Sequence, residues 1–124
     1  MTQEEKELLL VDICARLPYK VKVKDTYYND GPATIWLLDL NAQKVRIFAD
    51  EGYQSIEYIK PYLFPMSSMT EEQEIEYGSL LESDINGICY DTAESIDWLN
   101  KNHFDYRGLI EKGLAIDATG LSIY

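Results

Sequence analysis

Cys89, the single histidine His103 and Asp105 are the residue types from which a thiol nucleophile, its base and an orienting carboxylate could be built. Their surroundings in the sequence argue for a plainer reading. His103 falls at the end of one predicted helix, where a cation suits the dipole, and Asp105 caps the next. Cys89, between Ile88 and Tyr90, reads as a buried small hydrophobe. No glycine-rich phosphate loop, nucleophile elbow or metal-ligand spacing accompanies them, so neither catalysis nor a cofactor is expected. Glu82-x-Asp84-x-Asn86-Gly87 echoes the start of a calcium loop. Ala93, however, stands where the closing bidentate glutamate should be, and Glu94 comes one residue late.

Two further groups of residues could bind rather than react. Between Thr70 and Asp97 the chain holds nine acidic residues and no Lys or Arg. Such a field repels phosphate and attracts basic proteins. Glu72 and Glu76 are spaced for like-charge repulsion on one helix face, which a basic partner would relieve. Glu71, Glu72, Glu76, Asp84 and Glu94 are the candidate partner-binding residues. The other group is basic. Lys20, Lys22, Lys24, Lys44 and Arg46 alternate along two predicted strands, with Tyr27, Tyr28 and Tyr53 on neighbouring turns. Cations beside aromatic platforms are what single-stranded nucleic acid requires. Lysines guarding a sheet edge explain the same pattern without a ligand.

The elements that must carry these groups follow from periodicity. Thr2-Gln-Glu-Glu5 is a capping box, and Leu9, Leu10, Ile13, Cys14 and Leu17 form the inward stripe of a helix that Pro18 ends. Asp12 and Arg16 are spaced for an i,i+4 pair on its wetter side. Four strands are predicted: Tyr19 to Lys24 at an edge, Thr34 to Leu40 in the centre, Lys44 to Ala49 as its hairpin partner, and Ser55 to Ile59. Turns are expected at Asn29–Pro32 and at Asp50–Gly52. Tyr62 and Phe64, between Pro61 and Pro65, are extended. With Tyr27, Tyr28, Pro61, Pro65 and Met66 they form an exposed patch for a homo-oligomer or partner, or else Tyr62 and Phe64 simply pin the crossover to the sheet. A second helix runs from the Thr70 capping box to about Glu82, with Ile75, Tyr77, Leu80 and Leu81 inward. Ser83 to Tyr90 reads as a polar loop. A third helix, capped by Asp91 with Glu94, ends near Asn102 and buries Ile96 and Leu99. A short last helix stops at Gly113, and residues beyond Asp117 are expected to be loosely held.

The chain has 124 residues, 11 basic and 22 acidic, giving a net charge of −11. That length suits one domain spanning 1–124. The fold class is α+β: an N-terminal helix, a small four-stranded antiparallel sheet or SH3-like half-barrel, then a helical C-terminal half. No apolar run is long enough for a membrane span and no secretory signal is recognisable. Two cysteines far apart imply no disulfide framework and a reducing cytoplasm.

Lys60-Pro-Tyr-Leu-Phe-Pro-Met-Ser-Ser-Met-Thr-Glu-Glu72, Ile96-Asp-Trp-Leu-Asn100 and His103-Phe-Asp-Tyr-Arg-Gly-Leu-Ile-Glu-Lys-Gly-Leu-Ala115 together resemble a family of small proteins of unknown function. That family occurs in Bacteroides-type gut bacteria and their phages or prophages. The resemblance covers most of residues 56–116 and implies a bacterial or phage cytoplasmic setting. It carries no activity or site residue with it. The resulting expectation is a non-enzymatic interaction module whose acidic half meets a basic protein. The alternative is a single-stranded nucleic-acid binder using the basic sheet face.

Overall fold

The computed structural model describes residues 1–47 and 53–124, the side chain of Asp30 excepted. Helix α1 (Gln3–Arg16) begins as expected. Thr2 accepts from the Glu5 amide, and the Glu5 carboxylate accepts in return from the Thr2 amide at 2.8 Å. A short 3₁₀ turn, Leu17–Tyr19, follows, with Pro18 at its start and Lys20 in the left-handed region at φ 57°. This turn takes Tyr19 and Lys20 out of the first strand, which begins only at Lys22.

Strands β1 (Lys22–Asp25), β2 (Asp30–Asp39), β3 (Lys44–Ile47) and β4 (Tyr53–Ser55) form an antiparallel succession. The turn expected at Asn29–Pro32 lies three residues earlier, at 26–29, and Asp30, Gly31 and Pro32 already belong to β2. Phe48, Ala49 and the expected Asp50–Gly52 turn lie outside the described residues. After Ser55 the chain makes a 3₁₀ turn at Ile56–Tyr58 rather than continuing as a strand. It then enters β5 (Ile59–Pro65). The extended apolar segment at Tyr62–Phe64 is therefore part of a full strand, whose first residues, Ile59 to Pro61, pair antiparallel to β1.

Helices α2 (Glu71–Leu80) and α3 (Ala93–Lys101) flank a small hairpin of β6 (Glu82–Ser83) and β7 (Cys89–Tyr90). Beyond α3, strands β8 (Phe104–Asp105) and β9 (Ile116–Asp117) both join β5 in parallel. The strand order is β4-β3-β2-β1-β5-β8, with β9 also on β5. The fold is thus α+β with a mostly antiparallel sheet, but the C-terminal half adds strands to it as well as helices. It also places β1 between β2 and β5, so its lysines guard no edge.

Two apolar clusters hold these parts. Leu9, Leu10 and Ile13 of α1 pack onto one sheet face with Val21, Val23, Ile35, Val45, Ile47, Ile59 and Leu63. Leu109, Leu114 and Ala115 complete this core. The second cluster joins Trp98, Leu99 and Phe104 to Phe64, Met66, Tyr77 and Leu80. Strand alternation puts Leu63 in the first cluster and Phe64 in the second. The outer face is therefore covered at the β5–β8 side. Tyr62 is buried and Phe64 packed inward, so this segment pins the crossover rather than forming an exposed patch.

The inward stripe of α1 is rotated from its expected position. Cys14 is exposed, whereas Asp12 and Arg16 have no exposure at all. Residues 104–107 lie over that side of the helix, a placement that helical periodicity cannot supply. Arg16 pairs with Asp12 through Nε at 2.9 Å and through Nη2 at 3.1 Å, and Nη2 also donates to the Phe104 carbonyl at 2.6 Å. Arg107 reaches the same Asp12 carboxylate at 2.7 Å.

Other expectations change for equally local reasons. Ile75 lies two residues before Tyr77, about 200° around the helix axis. It cannot share the inward face with Tyr77 and is 68% exposed. Thr92, not Asp91, is the N-cap of α3, with Ser95 closing the box. Asp91 instead accepts from the Tyr77 hydroxyl at 2.5 Å and from Ser95 at 3.0 Å. Asp105 does accept from the Leu109 and Ile110 amides, but successive turns replace the expected last helix up to Gly113. The tail past Asp117 is anchored. Ala118 is buried, and the Tyr124 hydroxyl accepts from the Lys22 amide and donates to the Tyr62 carbonyl, each at 2.8 Å.

Candidate functional site

The residues considered for catalysis do not form a relay. Asp105 spends its two oxygens on backbone amides at 3.0 and 2.9 Å. His103 Nδ1 is buried without a hydrogen-bond partner among the described residues. Cys89 is exposed on β7, contrary to its expected burial. His103 follows the C-cap of α3 as predicted, in the left-handed region at φ 62°, with its ring stacked on Tyr124 at a centroid separation of 3.6 Å. It is not the expected cation: burial, helped by Arg16, pushes its pKa down to about 4. It faces a cleft of about 370 Å³ lined by Phe64, Ser68, Lys101, Thr119 and Tyr124 among others.

The calcium-like sequence at Glu82–Gly87 is a hairpin. The Asp84 carboxylate accepts from the Asn86 amide at 2.8 Å and the Ile88 amide at 2.9 Å, while Gly87 supplies a positive φ of 79°. Among the described residues, no three of His, Cys, Asp and Glu are grouped to hold a metal ion.

The acidic candidates fall on three consecutive elements that pack together. Glu71, Glu72 and Glu76 are exposed on α2, Asp84 is in the hairpin turn and Glu94 is exposed in the first turn of α3. The Tyr77–Trp98 stack and a bond from the Thr92 hydroxyl to the Leu80 carbonyl tie α2 to α3. Asp84 differs from the others because its carboxylate already shapes its own turn. Among the described residues, the ion pairs are Lys6–Glu57, Asp12–Arg16 and Asp12–Arg107, so none involves this acidic group. The same lobe exposes Ile75, Ile85 and Ile88, Ile85 completely. Sequence reading placed Ile75 inside and passed over the other two. Their position between turn residues was the available signal.

Four of the five predicted sheet cations share one face. Val21, Val23, Val45 and Ile47 point to the core, so Lys22, Lys24, Lys44 and Arg46 point the other way. Lys20 is exposed at the corner before β1 and lies off the sheet. Tyr27 and Tyr28 are exposed at the β1–β2 turn, packed edge-to-face on each other at 4.8 Å. The outer face also carries Lys60 and Trp36, which the sequence pattern does not single out, and Tyr53, which it does. Lys60 lies opposite Lys24 across the β1–β5 pair. Trp36 and Tyr53 flank Arg46, whose guanidinium carbon is 5.1 Å and 5.8 Å from their ring centroids. The predicted fourth strand stops at Ile59, where the observed β5 only begins, and so leaves Lys60 out.

Compared with protein-family models, curated proteins and solved structures, the chain matches none. No helix among the described residues is long and apolar enough to cross a membrane.

Proposed function

We propose that this chain is a non-enzymatic cytoplasmic protein-interaction module, of phage, prophage or bacterial host origin, whose acidic lobe docks a basic protein partner. The observation that carries this reading is the combination on one lobe of exposed isoleucines with carboxylates that form no ion pair among the described residues. Ile75 stands out to solvent on α2, the helix that carries Glu71, Glu72 and Glu76, Ile85 does so in the hairpin turn that follows, and from Thr70 to Asn100 the sequence offers no cation. Exposed apolar side chains rimmed by charge mark contact surfaces, and a field of one sign selects the partner's charge and speeds its arrival. Glu94 extends the surface; Asp84 contributes mainly by holding the hairpin that presents Ile85. The sheet serves as scaffold, its β1–β4 part an SH3-like half-barrel in outline.

The test is capture from bacterial host lysate, split into nuclease-treated and untreated halves and read by mass spectrometry. A basic protein retained in both halves, and released by salt, is expected. It should be lost from the E71K/E72K/E76K variant and weakened by Ile85→Ser. Retention unchanged in those variants would sink the proposal.

A further inference from the structure

A surface remote in sequence from the acidic lobe carries a second binding reading. Among the described residues, no helix packs over the outer face of β1–β4 and the adjoining Lys60 of β5. It presents Lys22, Lys24, Lys60 and Arg46, with Trp36 and Tyr53 exposed by 55% and 48%. In a chain of net charge −11, this local excess of cations is a departure from the average. Lys24 and Lys60 are directly opposed across two hydrogen-bonded strands. Like charges in that position repel each other and cost stability, a cost that a bound anion would remove. Arg46 points the same way. It sits between two exposed rings, and its Nε is without a hydrogen-bond partner among the described residues.

We infer that this sheet face binds single-stranded nucleic acid. Lys24 and Lys60 would hold backbone phosphate, and Trp36 and Tyr53 would stack on unpaired bases. The arrangement separates this ligand from other polyanions. A duplex keeps its bases stacked and offers exposed rings nothing to receive, whereas a single strand presents both a phosphate track and free π-faces. Five adjacent strands about 4.8 Å apart span roughly 19 Å from β4 to β5, room for a short single-stranded segment. Asp39, opposite Lys44 on the same face, is an acidic group that such a strand must pass. Its carboxylate is already bonded to the Ala42 amide, which places the binding track toward Arg46, Lys24 and Lys60 rather than Lys44.

The experiment is fluorescence anisotropy of labelled oligo-uridine RNA, oligo-thymidine DNA and a duplex of equal length, titrated with the full chain at low and moderate salt. Binding of at least one single strand is expected, weakening as salt rises, with the duplex bound more weakly. The RNA and DNA arms decide which sugar is preferred. Trp36→Ala and Tyr53→Ala should each weaken binding about tenfold. Lys24→Glu is the sharper variant. It places a carboxylate opposite Lys60, so thermal stability should hold or rise while affinity falls at least tenfold and the salt dependence flattens. The E71K/E72K/E76K variant should not lose affinity for the oligonucleotide, which keeps this surface separate from the acidic lobe. No salt-sensitive binding to either strand, equal preference for duplex, or full affinity in the Lys24→Glu variant would each overturn the inference.

Discussion

Arg16 and Asp12, one turn apart on α1, form a two-point ion pair with no solvent exposure, and Arg16 also bonds the Phe104 carbonyl across the molecule. A pair that looks like ordinary helix-surface decoration is therefore the polar joint between the first helix and the C-terminal strands. Tyr106 lies beneath both guanidinium groups of the joint, 5.3 Å from Arg16 and 4.5 Å from Arg107.

Truncating Arg16 leaves the buried Asp12 carboxylate with Arg107 as its one remaining ion-pair partner among the described residues. Arg16→Ala should cost about 3–5 kcal/mol, far more than an exposed helical pair. Replacing both residues, as in Asp12→Leu with Arg16→Met, should recover much of that loss. Urea denaturation of the two variants checks this, and equal losses would mean that the charge itself is not what is buried at a cost.

His103 should make stability depend on pH in a defined direction. Its folded pKa is lowered to about 4, mainly by burial, from an ordinary value near 6.5. Between those values the unfolded chain binds the proton and the folded one does not. Its contribution is therefore complete above pH 6.5 and is lost as the pH falls toward 4, by on the order of 1 kcal/mol after allowance for its partial exposure. His103→Asn suits the left-handed backbone and removes the titration. Thermal melts from pH 7 to 4 should converge between the two proteins if this is correct.

Thr92 rather than Asp91 should govern the start of α3. Its hydroxyl accepts from the Ser95 amide and donates to the Leu80 carbonyl. Thr92→Ala is expected to lose about 1–2 kcal/mol, whereas Asp91→Asn, which keeps an acceptor oxygen toward Tyr77 and Ser95, should lose under about 0.5 kcal/mol. Chemical denaturation ranks them directly.

Two glycines should respond oppositely to alanine. A Cβ at Gly31 would lie 2.8 Å from the Val23 carbonyl oxygen, at a φ of 139° that side chains avoid. Gly31→Ala should therefore cost at least about 2 kcal/mol. Gly78, inside α2, has nothing within 4 Å of that position. Gly78→Ala should stabilise by about 1 kcal/mol through helix propensity alone. The two melting temperatures check the contrast.

What the chain order alone carried was local. The Thr2 and Thr70 capping boxes, the stop at Pro18, the alternation of Val23 with Lys22 and Lys24, and the grouping of acids after Thr70 are relations between residues a few positions apart. Backbone geometry enforces them wherever the segment goes. Which side of each element becomes interior was settled only by packing between distant segments. Asp12 and Arg16 are buried because Phe104 to Arg107 crosses them, and Cys14 is exposed by the same rotation. Tyr124 is fixed by the backbone of Lys22 in β1 and of Tyr62 in β5, although chain termini ordinarily fray. The candidate surfaces divide the same way. The sequence marked Glu71, Glu72, Glu76, Lys22, Lys24 and Arg46 by charge, but setting Lys60 against Lys24 and Trp36 beside Arg46 required strand register, a property of pairing that no single strand contains.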